Sequence, residues 1–227
     1  MNWPAIFLSL RLALTTTAVL FVLALPLAWW IAFSRRRWMF LVEAVVALPL
    51  VLPPTVLGFY VLAGLGARSP LGRAYAGLFG SPLPFTFAGL VVASVLYSLP
   101  FGVQPLVASF RLVDKRYLQA SEMLGSSRLR TFLTVTLPLS RAGLITSLVL
   151  AFAHTLGEFG VVLMVGGNIP GVTQTVSIAI YDEAQTLNYA AAGRTSLALL
   201  VFSFAVLAAV YGAARASWSL WRPQAGR

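Results

Sequence analysis

Five long apolar runs, separated by short basic clusters, constrain this chain more than any other feature. They occupy roughly residues 10–33, 40–65, 87–110, 142–165 and 197–216. Each matches the ~20 residues that a helix needs to cross the hydrocarbon core of a bilayer. With 59% hydrophobic and only 10% charged residues in 227, the chain could not hide its apolar surface in a water-soluble fold. The expected fold is an all-α integral membrane protein of about five transmembrane helices, forming one domain over residues 1–227. The first run is too long for a cleavable signal and lacks a preceding basic cluster, so it counts as a span.

The net charge of +10 follows the pattern of the spans rather than the footprint of a nucleic-acid site. Arg35, Arg36 and Arg37 separate the first two runs. Arg111, Lys115, Arg116, Arg128, Arg130 and Arg141 separate the third and fourth, and Arg215, Arg222 and Arg227 follow the fifth. The other side receives only Arg11, Arg68, Arg73 and Arg194. The positive-inside rule places the N-terminus outside and the C-terminus in the cytoplasm of a bacterial inner membrane. Trp3, Trp29, Trp30, Trp38, Trp218 and Trp221 fall where interfacial belts are expected.

Chemistry is scarce. Without cysteine there is neither a disulfide framework nor a thiolate metal site, and one histidine with six acids supplies no catalytic or metal-ligating constellation. No Gly-x-x-x-x-Gly-Lys-Ser/Thr phosphate loop is present, so any use of ATP by that route belongs to another polypeptide.

Two of the spans are punctuated. Pro49, Pro53, Pro54 and Gly58 interrupt the second, and Pro100 and Pro105 the third. Each internal proline removes a helix hydrogen bond, and backbone freed inside lipid must face protein or a water-lined cavity. A packing kink and a moving, pathway-lining segment are both compatible with this, and both place the second span inside the bundle. The connection over residues 66–85 carries enough periodicity for a short surface helix, and residues 166–193 form a longer, polar connection.

Residues 114–138, DKRYLQASEMLGSSRLRTFLTVTLP, break the membrane pattern. Tyr117, Leu118, Met123, Leu124, Leu129, Phe132, Leu133 and Val135 keep helical spacing among polar residues. Two short amphipathic helices split at Gly125, with Ser126 or Ser127 capping the second, account for it. Pro138 is expected to open the fourth span. A helix-turn-helix reading is set aside because the segment is held between two spans at the membrane face. An apolar stripe outside the bilayer calls for self-packing or a partner.

This segment resembles the cytoplasmic signature of permeases of binding-protein-dependent ABC importers. Gln119-Ala120-Ser121 fills its opening Glu-Ala-Ala triplet, Gly125 its glycine, Val135 its aliphatic position and Leu137-Pro138 its close. Gln119 and Ser121 depart from the usual residues, with Glu122 adjacent. The resemblance implies an ATPase-coupling loop built on Gln119, Ala120, Ser121, Glu122, Gly125, Leu137 and Pro138, docked on a separate ATP-binding subunit. It also implies two such subunits holding ATP and magnesium, a second copy of this chain, and an external binding protein.

The run over residues 152–185 is similar to the molybdate/tungstate branch of that family, more broadly its tetrahedral-oxyanion group. Gly157-Glu158-Phe159-Gly160, Gly167-Asn168-Ile169-Pro170-Gly171, Thr173-Gln174-Thr175 and Ala179-Ile180-Tyr181 carry the likeness, together with residues 48–54. It implies import of molybdate or tungstate by alternating access, with sulfate or thiosulfate as the alternative cargo. A secondary anion transporter or channel is a distant alternative that leaves the 114–138 segment unexplained. Pathway or gate candidates are Pro53, Pro54, Thr55, Thr155, Gly157, Glu158, Gly160, Asn168, Thr173 and Gln174, with Ser94 and Ser98 as further lining groups. For each, helix packing or capping is the competing role. His154 and Glu158 lie one turn apart if the fourth span is one helix, and a carboxylate at bilayer depth requires a partner. A structural hydrogen bond, a gating contact and direct substrate contact all remain open for this pair. No mid-span arginine or lysine offers a cage for tight anion binding, so a transient path of hydroxyls and amides is expected.

Overall fold

The computed structural model describes residues 2–219; Trp221, Arg222 and Arg227 lie outside the described residues, as do the side chains of Arg215 and Trp218. Every regular element among the described residues is helical. Three helices are long and apolar enough to cross a membrane, or up to five if each sharply bent pair counts as one span.

The unit Asn2–Ala179 is built on α1 (Trp3–Phe33) and α5 (Phe87–Arg111), packed along their lengths. α1 begins seven residues before the apolar run does. Asn2 accepts from the Ala5 amide and Pro4 occupies the first turn, where its missing N–H costs nothing. α5 runs unbroken through Pro100 and Pro105, so those prolines do not divide the third span. The core over this pair joins Leu20, Ala24, Ala28 and Ile31 of α1 to Val103, Leu106 and Phe110 of α5.

The second apolar run is two helices. α2 (Met39–Val51) ends at Leu52, and α3 (Pro54–Leu65) leaves it at 113°. Pro53 has ψ 137 and Pro54 supplies a ready-made first turn, so the corner lies where the paired prolines demand it. The expectation that this span lies inside the bundle does not hold within the chain. Only Met39, Val46 and Pro49 of α2 are buried, while Phe40, Leu41, Val45, Leu48 and Val51 are exposed. The corner sends the two halves to different neighbours, α2 to α5 and α3 to α10 (Gly160–Gly166). Between α3 and α5, the expected surface helix is α4 (Pro70–Phe79), capped by Ser69.

The segment after α5 holds α6 (Lys115–Met123), α7 (Arg128–Thr131), a π-helical turn (Phe132–Thr136) and α8 (Leu137–Leu139). Pro138 does not open the fourth span. α9 (Arg141–Leu156) starts after a 76° bend at Ser140. A proline ring collides with the carbonyl four residues back, and the wider π turn, closed by Leu137 N–H on the Phe132 carbonyl, relieves that collision. The fourth run is itself divided. α9 stops at Leu156, Gly157 to Phe159 are irregular, and α10 follows.

Residues from Ile180 onward form a second unit. α11 (Val176–Gln185) enters it, and α12 (Tyr189–Ser219) begins eight residues before the last apolar run. Asn188 accepts from the Ala191 amide there, so Arg194 lies on the helix rather than in the connection before it.

Candidate functional site

Two regions gather the candidate residues. The first is the helix pair around Gly125. Asp114 caps α6 through the Arg116 amide at 2.9 Å, and Ser127, rather than Ser126, caps α7 through the Arg130 amide at 3.3 Å. Gly125 turns the chain at φ +79, a left-handed conformation that a side chain resists. Ser121 and the buried Thr131 meet hydroxyl to hydroxyl at 2.9 Å and tie the two helices together. Phe132 continues inward and packs edge-on against Phe110 and Trp29, with ring centroids 5.6 and 6.1 Å away. The remaining apolar side chains are not used by the chain. Tyr117, Met123, Leu124, Leu129 and Leu133 are exposed, no residue of α6 is buried, and Gln119, Ala120 and Glu122 stand on the open surface. Leu137 is half-buried and Pro138 exposed. The pair is thus anchored on one side and bare on the other, leaving an exposed apolar face.

The second region is where the two helix breaks meet. A Cβ on Gly160 would lie 2.8 Å from Cβ of Pro54, so the start of α10 rests directly on the start of α3. Pro54, Thr55 and Gly160 are therefore brought together, with Pro53 and Thr55 exposed beside them. On the other side of the α9 break, Ser98 links α5 to α9. Its hydroxyl lies 3.0 Å from His154 Nδ1 and 2.9 Å from Thr155 Oγ1. His154 also stacks on Phe101 and leans on Tyr97, with centroids 4.1 and 4.7 Å away.

The His154–Glu158 hydrogen bond within one chain is not formed. The pair loses its one-turn spacing because α9 ends between them, at Leu156, with Gly157 as its cap. Glu158 turns inward instead and is 4% exposed. Neither of its oxygens has a hydrogen-bond partner among the described residues, and no backbone amide reaches them. Ser94, fully buried on α5, faces the carboxylate without closing a hydrogen bond to it.

Asn168, Thr173 and Gln174 form a third, separate group in the loop between α10 and α11. Thr173 is fully buried, donates to the Gly166 carbonyl at 2.7 Å and accepts from the Ile169 amide at 3.0 Å. Gln174 donates to Asn168 Oδ1 at 2.9 Å and accepts from Asn2 at 3.2 Å. These groups build the loop and hold it to the start of α1. Sequence reasoning overlooked one charged pair: Glu43 on α2 binds Arg111 at the end of α5 at 2.6 Å. Glu43 is the only acid within the first three apolar runs, which was signal enough to ask for its partner.

The backbone is similar to those of solved ABC transporters. It superposes on the MetNI methionine ABC transporter, solved in inward-facing conformations, with a TM-score of 0.74 at 15% identity over 95% of each chain. Against a bacterial ABC transporter that imports alginate the TM-score is 0.75 at 17% identity, over 96% of this chain and 79% of that one. Broken apolar helices beside an exposed helix pair thus have the fold of an ABC-importer permease. The chain belongs to the family described as binding-protein-dependent transport system inner membrane component, which it matches over residues 24–216. It is 52% identical over 211 residues, 93% of each chain, to the molybdenum transport system permease protein ModB of Azotobacter vinelandii. Against the protein of that name from Escherichia coli strain K12 the identity is 39% over 189 residues, 82% of this chain and 81% of that one. The chain is accordingly a non-catalytic inner-membrane component of a transport system, and ATP is bound by a separate subunit.

Proposed function

We propose that this chain is the permease of a molybdate or tungstate importer. It receives the oxyanion from an external binding protein and passes it inward by alternating access as a homodimer. The observation that carries the cargo is the 52% identity, across 93% of the chain, to a molybdenum transport permease. Coupling to ATP rests on the helix pair around Gly125. Its apolar and short side chains at Ala120, Met123 and Leu124 are left bare while Thr131 and Phe132 are anchored in the membrane unit. We place this pair on the cytoplasmic side by charge, together with Arg35, Arg36 and Arg37 and the C-terminal basic residues, so that the N-terminus is outside. One such surface per chain against a paired ATPase calls for two copies of each, related by a two-fold axis.

In this reading the Pro54–Gly160 junction is the moving element. Two discontinuous helices meet there, and irregular backbone at membrane depth is tolerated only where it meets protein or a cavity. Alternating access then shifts α3 against α10, with Thr55, exposed at the junction, as a weak polar contact for the passing anion.

The test is purification with the ATPase, followed by ATP hydrolysis measured with the binding protein and each oxyanion. Stimulation by molybdate or tungstate is expected. Stimulation by sulfate alone would reassign the cargo, and hydrolysis indifferent to all three would remove the oxyanion assignment.

A further inference from the structure

Glu158 is a carboxylate buried at the α9 break with nothing among the described residues to balance it. Its two oxygens are unpartnered, and so is the Ser94 hydroxyl that faces it from α5. A second unpartnered hydroxyl belongs to Thr16 on α1, which is fully buried. One turn before it, Leu12 shares a cluster with Leu90. One turn after it, Leu20 lies against Gly102. Thr16 therefore looks onto α5 between those levels, the stretch that contains Ser94 and Ser98.

The elements around the break supply no cation. α3 and α10 contain no charged residue. On α5 the titratable group on the Ser94 side is Tyr97, and the one arginine, Arg111, is bound to Glu43. On α1 the one charged residue is Arg11, whose guanidinium lies 4.2 Å over the Phe87 ring. On α9, Arg141 is at the far end, and His154 directs Nδ1 to Ser98 and its face to Phe101. The negative end of the α9 dipole points into the same spot, and the positive ends of the short α10 and of α3 begin beside it without giving Glu158 a hydrogen bond. Carboxylate and hydroxyl oxygens at the end of a discontinuous membrane helix are donors that suit a hard monovalent cation.

We propose that the α9 break is a cation site, in which Glu158 and Ser94 take up one positive charge from solution, as a proton or an alkali ion. Bound charge neutralises Glu158 and lets the break stay packed on α3. Loss of the charge leaves an ion in an apolar setting and drives Glu158 toward water. The site does not depend on which anion is carried.

The experiment is infrared difference spectroscopy on the permease–ATPase complex in lipid nanodiscs, comparing the unaltered complex with E158Q in sodium, lithium and potassium salts. A neutral-carboxyl C=O band that E158Q removes identifies a proton. Carboxylate bands that move when one alkali ion replaces another, with the movement lost in E158Q, identify an alkali ion. Carboxylate bands indifferent to every cation would overturn the proposal, because the balancing charge would then be a protein group from another subunit. Should E158Q not assemble, S94A keeps the carboxylate and removes its neighbour, and the Glu158 band is expected to shift. A band unmoved by S94A and by every cation would equally overturn the site.

Discussion

The helix pair around Gly125 and the junction of the helix breaks solve opposite problems. Around Gly125 the backbone is capped and the outer apolar side chains, from Tyr117 to Leu133, are left exposed. At the junction the side chains are packed to contact and the backbone is left irregular. The first arrangement suits a surface that waits for another protein, since caps hold the shape while apolar groups remain available. The second suits a part that must change, since the regular helical ladder is interrupted at residues 52–53 and 157–159, where capping bonds such as Glu158 N–H to the Thr155 carbonyl take its place.

Substitutions can separate these two modes. The largest effect is expected from Ala120→Arg, which puts a long charged side chain on the open face of α6. A docking contact weakened by about 2–3 kcal/mol would lower coupled transport by roughly thirty- to a hundred-and-fifty-fold. Membrane insertion should stay normal by fractionation, and unchanged transport would show that this face docks nothing. Next comes Gly160→Leu. Overpacking against Pro54 costs about 1–3 kcal/mol and should lower the unfolding temperature of the purified permease. Gly64→Ala, also on α3, is the control: nothing lies within 4 Å of its new methyl, so no loss is expected. If both variants unfold alike, the junction is no tighter than the open face of α3.

Smaller still is Gly125→Ala, where a left-handed φ of +79 costs about 1 kcal/mol. Hydrogen exchange should quicken over residues 114–131 while the α1–α5 core stays protected. The least effect is expected from Glu43→Gln. Both partners of its ion pair with Arg111 are more than 40% exposed, so water screens the contact to at most about 1 kcal/mol, and less at high salt. A large loss in that variant would mean that α2 is covered in the working assembly.

Legibility followed the range of the interactions. The pair around Gly125 could be read because its signals are local: a capping aspartate, a glycine at the turn, a serine starting the next helix. The corner at Leu52 was equally plain from Pro53 and Pro54. Pro100 and Pro105 misled, because α1 packing holds α5 straight through them. The break after Leu156 carried its own signal in Gly157 and Gly160, but the apolar residues on both sides masked it. A continuous helix would place His154 and Glu158 one turn apart, which the break prevents. The actual surroundings of Glu158 come from Ser94, some sixty residues away, which no local spacing reveals. Asn168, Thr173 and Gln174 looked like a polar mouth because they are polar. Their bonds to one another and to Asn2 are tertiary facts.

Phe132 gives the chain a mechanical property. Wedged between Trp29 and Phe110, and joined to α6 through Thr131 and Ser121, it makes the helix pair and the ends of α1 and α5 one stiff body. The chain then turns by 76° at Ser140, which is fully buried and exchanges two long contacts of 3.4 Å with Ser109 of α5. If α6 docks on the ATPase, a load on it would enter the π turn at Phe132 and reach α9 as torque across that buried corner.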